Sequence, residues 1–294
     1  MHRISYIGFR LLVGLIKILP FPVLYLLSDL LRFVLKYLIG YRRLVIKKNL
    51  DYCFPEMDAS QKAEIANGFY RNFIDIILES IKGLAIDPNK LVPRYKLKNP
   101  NILTEDFNNG QHLMAYSQHY NNWEWSAASL GLQTSHHIVG VTKLIANPYI
   151  NSYMYNNRTG PNVGSVTTRL TLRYLRVLQD KVNPEAIVFI ADQRPSGKEK
   201  YLDLPFLGGR ARFHHGAALF THSYNLPIYS IDIHRLDRGK YEVEIVLLKA
   251  KEEALSPEEI TTRYKEHLEK LVLKSPESWL WSHKRFKKYV DYKK

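Results

Sequence analysis

A single cysteine, Cys53, stands among 294 residues, which excludes an internal disulfide framework and any zinc site built from several thiolates. It sits in Tyr52-Cys53-Phe54-Pro55, an apolar setting that reads as packing rather than as a reactive thiol. Long uncharged apolar runs are lacking as well. The longest in the first forty residues extends from Ile18 to Ser28 and is interrupted by Pro20 and Pro22. A spanning helix needs about 20 apolar residues. The ordered charged, apolar and small-residue segments of a secretory signal are also missing. Acid is scarce relative to base, 28 residues against 42, and the formal charge is +14. Such a surface favours an anionic partner: acidic phospholipid, an acidic carrier protein or nucleic acid. A hydrophobic content of 46% supplies a full core and excludes disorder and fibrous classes.

What is present begins with an unusual N-terminus. Residues 4 to 39 are rich in Leu, Ile, Val, Phe and Tyr, yet their charges recur with helical regularity. Arg3, Arg10 and Lys17 share one face, and Asp29, Arg32 and Lys36 form a second stripe. Two amphipathic helices broken at Pro20-Phe21-Pro22 are predicted, each able to lie in a bilayer interface and attract anionic headgroups. The competing readings are a pair of ordinary core helices and one short tilted span.

Past the basic connector Tyr41-Arg42-Arg43, Asp58 and Gln61 form a capping box before Ile65, Phe69, Phe73 and Ile77 at helical spacing. From about residue 110 the pattern changes. Short branched and aromatic runs at 112–117, 137–142, 186–191, 226–233 and 241–248 predict strands. Helices are predicted between several of them, at 122–131, 148–157, 166–180 and 215–224. A last helix begins at Ser256-Pro257-Glu258-Glu259. Alternation of this kind predicts an α/β fold with a mostly parallel central sheet flanked by helices. The expected division is residues 1–40 as membrane-associating helices and 41–294 as a catalytic domain.

The chemistry concentrates in Ala115-Tyr116-Ser117-Gln118-His119-Tyr120-Asn121-Asn122-Trp123-Glu124-Trp125, where a strand runs into a turn and then a helix. A carboxylate on one ring nitrogen fixes the imidazole tautomer while the other nitrogen takes a proton. His119 and Glu124 are the candidate pair, poised at the carboxyl edge of the sheet where α/β proteins bind ligands. No Gly-x-Ser-x-Gly elbow lies nearby, so an external nucleophile is expected rather than an acyl-enzyme. Backbone N–H groups of Asn122 and Trp123 at the helix start are candidate oxyanion donors.

His119-x4-Glu124 resembles the His-x4-Asp/Glu motif of the lysophospholipid acyltransferase superfamily, and His-Tyr-Asn-Asn-Trp-Glu resembles its lipid A biosynthesis (lauroyl/myristoyl) branch. Three further stretches agree in order with that branch. They are Asn49-Leu50-Asp51-Tyr52-Cys53-Phe54-Pro55-Glu56; Ala191-Asp192-Gln193 with Leu204-Pro205-Phe206-Leu207-Gly208; and Pro276-Glu277-Ser278-Trp279-Leu280-Trp281-Ser282-His283-Lys284-Arg285-Phe286. The resemblance implies a glycerol-phosphate-acyltransferase-like fold and His119 as general base with Glu124 orienting it. It further implies Arg158 against substrate phosphate or oxyanion, Asp192 lining the site, and no cofactor or metal. The implied donor is acyl carrier protein, with acyl-coenzyme A as the alternative. The implied acceptor is a membrane lipid on the cytoplasmic face of the bacterial inner membrane. Asn121 replaces the family's glycine, and Asn is the residue other than Gly that best tolerates a left-handed turn. The bulky basic stretch Arg210-Ala211-Arg212-Phe213-His214-His215-Gly216 replaces a small Thr-rich one, which leaves the acceptor open: a lipid A precursor, a related glycolipid, a lysophospholipid or an aminolipid. His214 and His215 also invite a metal or second-base reading. Arg169, Arg173 and Arg176 read as a docking stripe or a solvated face. The basic run Lys284-Arg285-Phe286-Lys287-Lys288, closed by Lys293-Lys294, is expected to attract membrane or carrier, and nucleic acid is not an expected partner. A thioesterase or esterase, and a non-catalytic lipid-binding protein, are the readings from other classes.

Overall fold

The proline break produces two N-terminal helices, α1 (His2–Ile18) and α2 (Phe21–Phe33), in a computed structural model that describes residues 2–160, 162–197 and 199–293. Lys294, the last member of the C-terminal basic run, lies outside the described residues. A π-helical turn, Val34–Leu38, follows α2. Both helices keep a narrow buried stripe, Val13 and Ile16 on α1 and Leu24 and Ser28 on α2. Ile4, Leu11, Leu15, Ile18, Leu26, Leu30 and Phe33 stay exposed. Among the described residues no helix is long and apolar enough to cross a membrane. Helix α3 (Arg43–Cys53) then leads to α4 (Ala59–Gly83), whose N-terminus carries the expected reciprocal Asp58–Gln61 capping box.

The sheet has seven strands in the order β1-β9-β8-β2-β5-β3-β4. They are β1 (Tyr95–Leu97), β2 (Leu113–Ser117), β3 (His137–Thr142), β4 (Val163–Thr167), β5 (Glu185–Ile190), β8 (Ile228–Asp237) and β9 (Lys240–Lys249). Every neighbouring pair is parallel except β8 with β9, which form an antiparallel hairpin. Strand β2 is buried at every position, as expected for a parallel strand covered on both faces. Helices α5 (Thr104–Asn108), α6 (Glu124–Leu130), α7 (Pro148–Arg158), α8 (Thr171–Arg176), α9 (Gly216–Ser223) and α10 (Pro257–Lys274) complete the layers. Ser256 caps α10 reciprocally with Glu259.

The predicted helix over 166–180 is replaced by the end of β4, a turn, and the short α8. Val163 and Val166 are branched residues buried on opposite faces of β4, and strand pairing with β3 takes the backbone groups a helix would have used. The arginine stripe changes with it: Arg169 lies in the turn, while Arg173 and Arg176 remain on α8, all three exposed. A second sheet, the hairpin of β6 (Tyr201–Phe206) and β7 (Gly209–His214), was not anticipated. Its turn places Leu207 at φ 53° and brings Gly208 against Cys53, where the Gly208 N–H donates to the Cys53 carbonyl at 2.8 Å. A Cβ on Gly208 would lie 2.7 Å from that oxygen, so this approach requires glycine. Arg285 also departs from expectation. It is buried, its guanidinium stacked over Phe213 at 4.6 Å, so the exposed lysines of the C-terminal basic run are, among the described residues, Lys287, Lys288 and Lys293.

Candidate active site

Strands β2 and β5 run parallel in register, with Ser117 beside Ile190. His119 and Asp192 each lie two residues beyond that last pair, so the two chains leave the sheet side by side. His119 Nδ1 and Asp192 Oδ1 meet at 2.7 Å. The expected contact between His119 and Glu124 is therefore not the one that forms. Register delivers Asp192 to the ring, whereas Glu124, the first residue of α6, turns toward α7. Arg158 Nη2 donates to both Glu124 carboxylate oxygens, at 2.9 and 2.8 Å.

The His119–Asp192 pair is almost shut off from water: the Asp192 side chain is 2% exposed and that of His119 19%. Trp279 Nε1 donates to the second Asp192 oxygen at 2.9 Å, so each oxygen has a fixed partner. Burial alone would push the Asp192 carboxyl up, but the adjacent imidazole and these hydrogen bonds bring it down to about 2. For His119, burial disfavours the imidazolium. Asp192, and less strongly Glu124, outweigh burial and hold the ring above its ordinary value. An ionised Asp192 assigns the proton to Nδ1, which leaves the Nε2 lone pair to accept. Gln193 Nε2 lies 3.1 Å from that atom, and the Trp123 ring stands edge-on to the imidazole with centroids 4.9 Å apart.

The turn itself is built as its sequence allows. Asn121 adopts φ 52°, the left-handed conformation that asparagine tolerates, and donates through Nδ2 to the Ile233 carbonyl at 2.7 Å. The proposed oxyanion donors fare differently. The Trp123 N–H is occupied by the Asn121 carbonyl at 3.2 Å, and Asn122 is fully buried beneath the turn. Gln193, to which the sequence assigned no role, is the side chain that meets His119 Nε2 instead. Trp279, also missed, belongs to the C-terminal Pro-Glu-x-Trp stretch, whose path is locked when Asn49 donates to the Trp281 carbonyl at 2.7 Å.

His119 opens onto a cavity of about 790 Å³. Its polar end holds Glu124, Arg158 and Gln193; its walls include Leu130, Ile138, Val188, Leu219 and Ile231. Lys143, Arg194 and Lys200 also line it. His214 borders the cavity with Nδ1 3.1 Å from Glu199, while His215 turns away to Thr261 at 2.8 Å, so the two histidines serve separate partners. Among the described residues no cluster of His, Cys, Asp and Glu is arranged to hold a metal ion.

An imidazole with one nitrogen held by a buried carboxylate and the other facing a cleft is arranged as a general base is. The family model described as bacterial lipid A biosynthesis acyltransferase matches residues 3–288, and the chain belongs to that family and is an acyltransferase. No curated protein matches the sequence.

Proposed function

We propose that the protein moves a fatty acyl group from a carrier thioester to a hydroxyl of a lipid A precursor or related bacterial glycolipid, with His119 as the base. The observation that carries this reading is the His119–Asp192 pair opening onto a cavity lined in part by Leu130, Ile138, Val188, Leu219 and Ile231. The acceptor hydroxyl displaces the Gln193 amide from Nε2 and gives its proton to that nitrogen. Its oxygen attacks the thioester carbonyl carbon as the C–O bond forms. The tetrahedral oxyanion collapses with cleavage of the C–S bond, and the departing thiolate takes the proton back from Nε2. Asp192 stabilises the imidazolium between these two steps. Arg158, held by Glu124, is the cation positioned for the oxyanion or a substrate phosphate. The acyl tail occupies the region of Leu130, Ile138 and Ile231. No cofactor is required.

Acyl carrier protein is the proposed donor, in preference to acyl-coenzyme A. Lys143, Arg194 and Lys200 at the cavity, with exposed Arg173 and Arg176 on α8, form a basic approach suited to an acidic carrier. Residues 1–40 are proposed to seat on the cytoplasmic face of the inner membrane, their exposed leucines and isoleucines entering the interface and Arg3 and Lys17 meeting anionic headgroups. Residues 41–294 supply the chemistry. A lysophospholipid or aminolipid acceptor is accommodated by the same mechanism, because the β7 stretch Arg210–His214 is bulkier and more basic than the family pattern.

The test is incubation of purified protein with radiolabelled acyl carrier protein, with and without lipid acceptor, followed by mass spectrometry of the lipid. Label transferred only when acceptor is present is the expected result. Equal release of free acid without lipid identifies a thioesterase and sinks the proposal, and no turnover of either kind leaves only lipid binding.

A further inference from the structure

Three buried polar residues lie along one face of α4 at positions i, i+4 and i+7: Asp75, Glu79 and Lys82. Charged side chains are rarely buried so completely unless each has partners. Lys82 Nζ reaches the carbonyl of Leu19 at 2.6 Å and those of Ile16 and Lys17 at 3.2 and 3.1 Å, closing the C-terminal end of α1. Asp75 accepts from Ser28 of α2 at 2.6 Å and pairs with Arg235 and Arg238. Glu79, fully buried, differs from both because it reaches the turn between His119 and Glu124.

Its Oε2 accepts from Asn122 Nδ2 at 2.8 Å and from the Tyr241 hydroxyl at 2.7 Å, and its Oε1 accepts from the Tyr25 hydroxyl of α2 at 3.0 Å. Its backbone carbonyl accepts from Trp125 Nε1 at 2.9 Å. Asn122 spends its other amide atom on the same turn, Oδ1 accepting the Trp125 N–H at 3.2 Å. One carboxylate thus fixes the segment between His119 and Glu124 from below, while holding α2 from the opposite side.

We infer that Glu79 is a positioning residue for acyl transfer: it sets the His119–Glu124 turn through Asn122 and, through Tyr25, makes the packing of α2 part of that geometry. The inference rests on the acyl-transfer reading above. It does not touch substrate, since Asn122 and Glu79 both lie behind the turn and off the cavity. Its consequence is kinetic. Misplacement of a reacting group by about 1 Å costs on the order of 100-fold in rate, so loss of the Glu79 carboxylate should reduce kcat while leaving the KM for the thioester donor near its starting value.

The experiment compares Glu79→Ala, Glu79→Gln, Asn122→Ala and Tyr25→Phe in the full chain, by steady-state kinetics and by amide hydrogen exchange of residues 119–125. Glu79→Ala should lower kcat about 100-fold and speed exchange of that segment. Glu79→Gln keeps an acceptor for Asn122 and Tyr241, and the Tyr25 hydroxyl can rotate to meet its amide, so it should recover most of the rate. Asn122→Ala, which removes the donor to Glu79 together with the acceptor of the Trp125 N–H, should lower kcat at least as far as Glu79→Ala and decides the matter if Glu79→Ala does not fold. Tyr25→Phe should speed exchange of the turn and lower kcat less than Glu79→Ala. Wild-type kcat and wild-type exchange in folded Glu79→Ala or Asn122→Ala overturn the inference, as does a loss confined to folded yield. An unchanged turn in Tyr25→Phe removes α2 from it. A parallel His119→Ala control separates the two levels: if that variant retains transfer, His119 is not the base and the inference loses its footing whatever Glu79 does, and if the wild type itself transfers no acyl group the acyl-transfer reading is wrong.

Discussion

Two carboxylates stand near the same imidazole and differ in almost every physical respect. Asp192 is buried, receives an N–H on each oxygen, and faces the ring directly at 2.7 Å. Glu124 is 27% exposed in its side chain and paired with an arginine on another helix. A buried carboxylate beside histidine stabilises positive charge that appears only during reaction. A half-exposed carboxylate already neutralised by arginine mainly fixes where that arginine stands. The two are therefore expected to fail differently when changed, although both act electrostatically on the same imidazole.

Asp192→Asn should produce the largest effect. The amide cannot hold the Nδ1 proton as an anion does, and it offers an N–H that favours the wrong tautomer. In a comparable His–carboxylate arrangement the loss is on the order of 10⁴-fold in kcat, and a loss of that order is expected here with little change in donor KM. The pH profile should shift as well. His119 titrates above its ordinary value in the wild type, so the rate should rise with pH through a midpoint above about 6.5. Without the anion, burial becomes the leading influence and the midpoint should fall below that of the wild type. The pair also links stability to pH. The Asp192 contribution is present above the ordinary carboxylate value of about 3.9 and is lost as pH falls toward 2, because its folded value is depressed. The His119 contribution has the opposite sense: it is complete below about 6.5 and lost as pH rises through the raised folded value. Titration of chemical denaturation midpoints against pH checks both signs.

Glu124→Ala and Arg158→Ala come next. If they act as one unit, each should cost about 10²–10³-fold in kcat, the range for removing one donor that stabilises an oxyanion, and the double variant should be no worse than either single one. Combination of Glu124→Ala with Asp192→Asn should instead compound the loss. A double variant of Glu124 and Arg158 whose defects multiply would break the distinction between the carboxylates. So would Asp192→Asn behaving no worse than Glu124→Ala.

The same contrast explains what was legible in the residue order. His119, Glu124 and Arg158, singled out in the residue order, line one cavity, and the α/β architecture with its mostly parallel sheet followed from alternating patterns. The pairing was misassigned because linear spacing reports proximity along the chain, whereas the contact is set by strand register. The signal was nonetheless available. His119 and Asp192 each follow a short apolar run at the same offset, and parallel neighbours in register bring such positions together. Strand β4 was hidden because its buried residues, Val163 and Val166, stand three apart, a helical spacing, and only burial on both faces of the strand accommodates them. The Asp75–Glu79–Lys82 face was hidden for a different reason. Charges at helical spacing ordinarily mark the solvent side, and only the N-terminal helices lying across α4 reverse that expectation.

The finest way to sharpen the comparison is Trp279→Phe, which leaves both carboxylates in place and removes only the second partner of Asp192. A hydrogen bond to a charged group is worth about 1.5–3 kcal/mol, and most of that is felt equally by the resting and reacting states. The fraction that differs between them should lower kcat about 10-fold, equivalent to about 1.4 kcal/mol. An Asp192 with one oxygen unsatisfied holds its charge less readily, so its folded value should rise from about 2 toward the ordinary range. It can also rotate about its carboxyl torsion, which weakens the aim of His119. Phenylalanine keeps most of the ring packing against Phe206 and Trp281, so the midpoint of thermal unfolding should move less than the rate. If Trp279→Phe leaves kcat and its pH midpoint unchanged, the indole serves only to fill the core, and the advantage of Asp192 over Glu124 rests on burial and register alone.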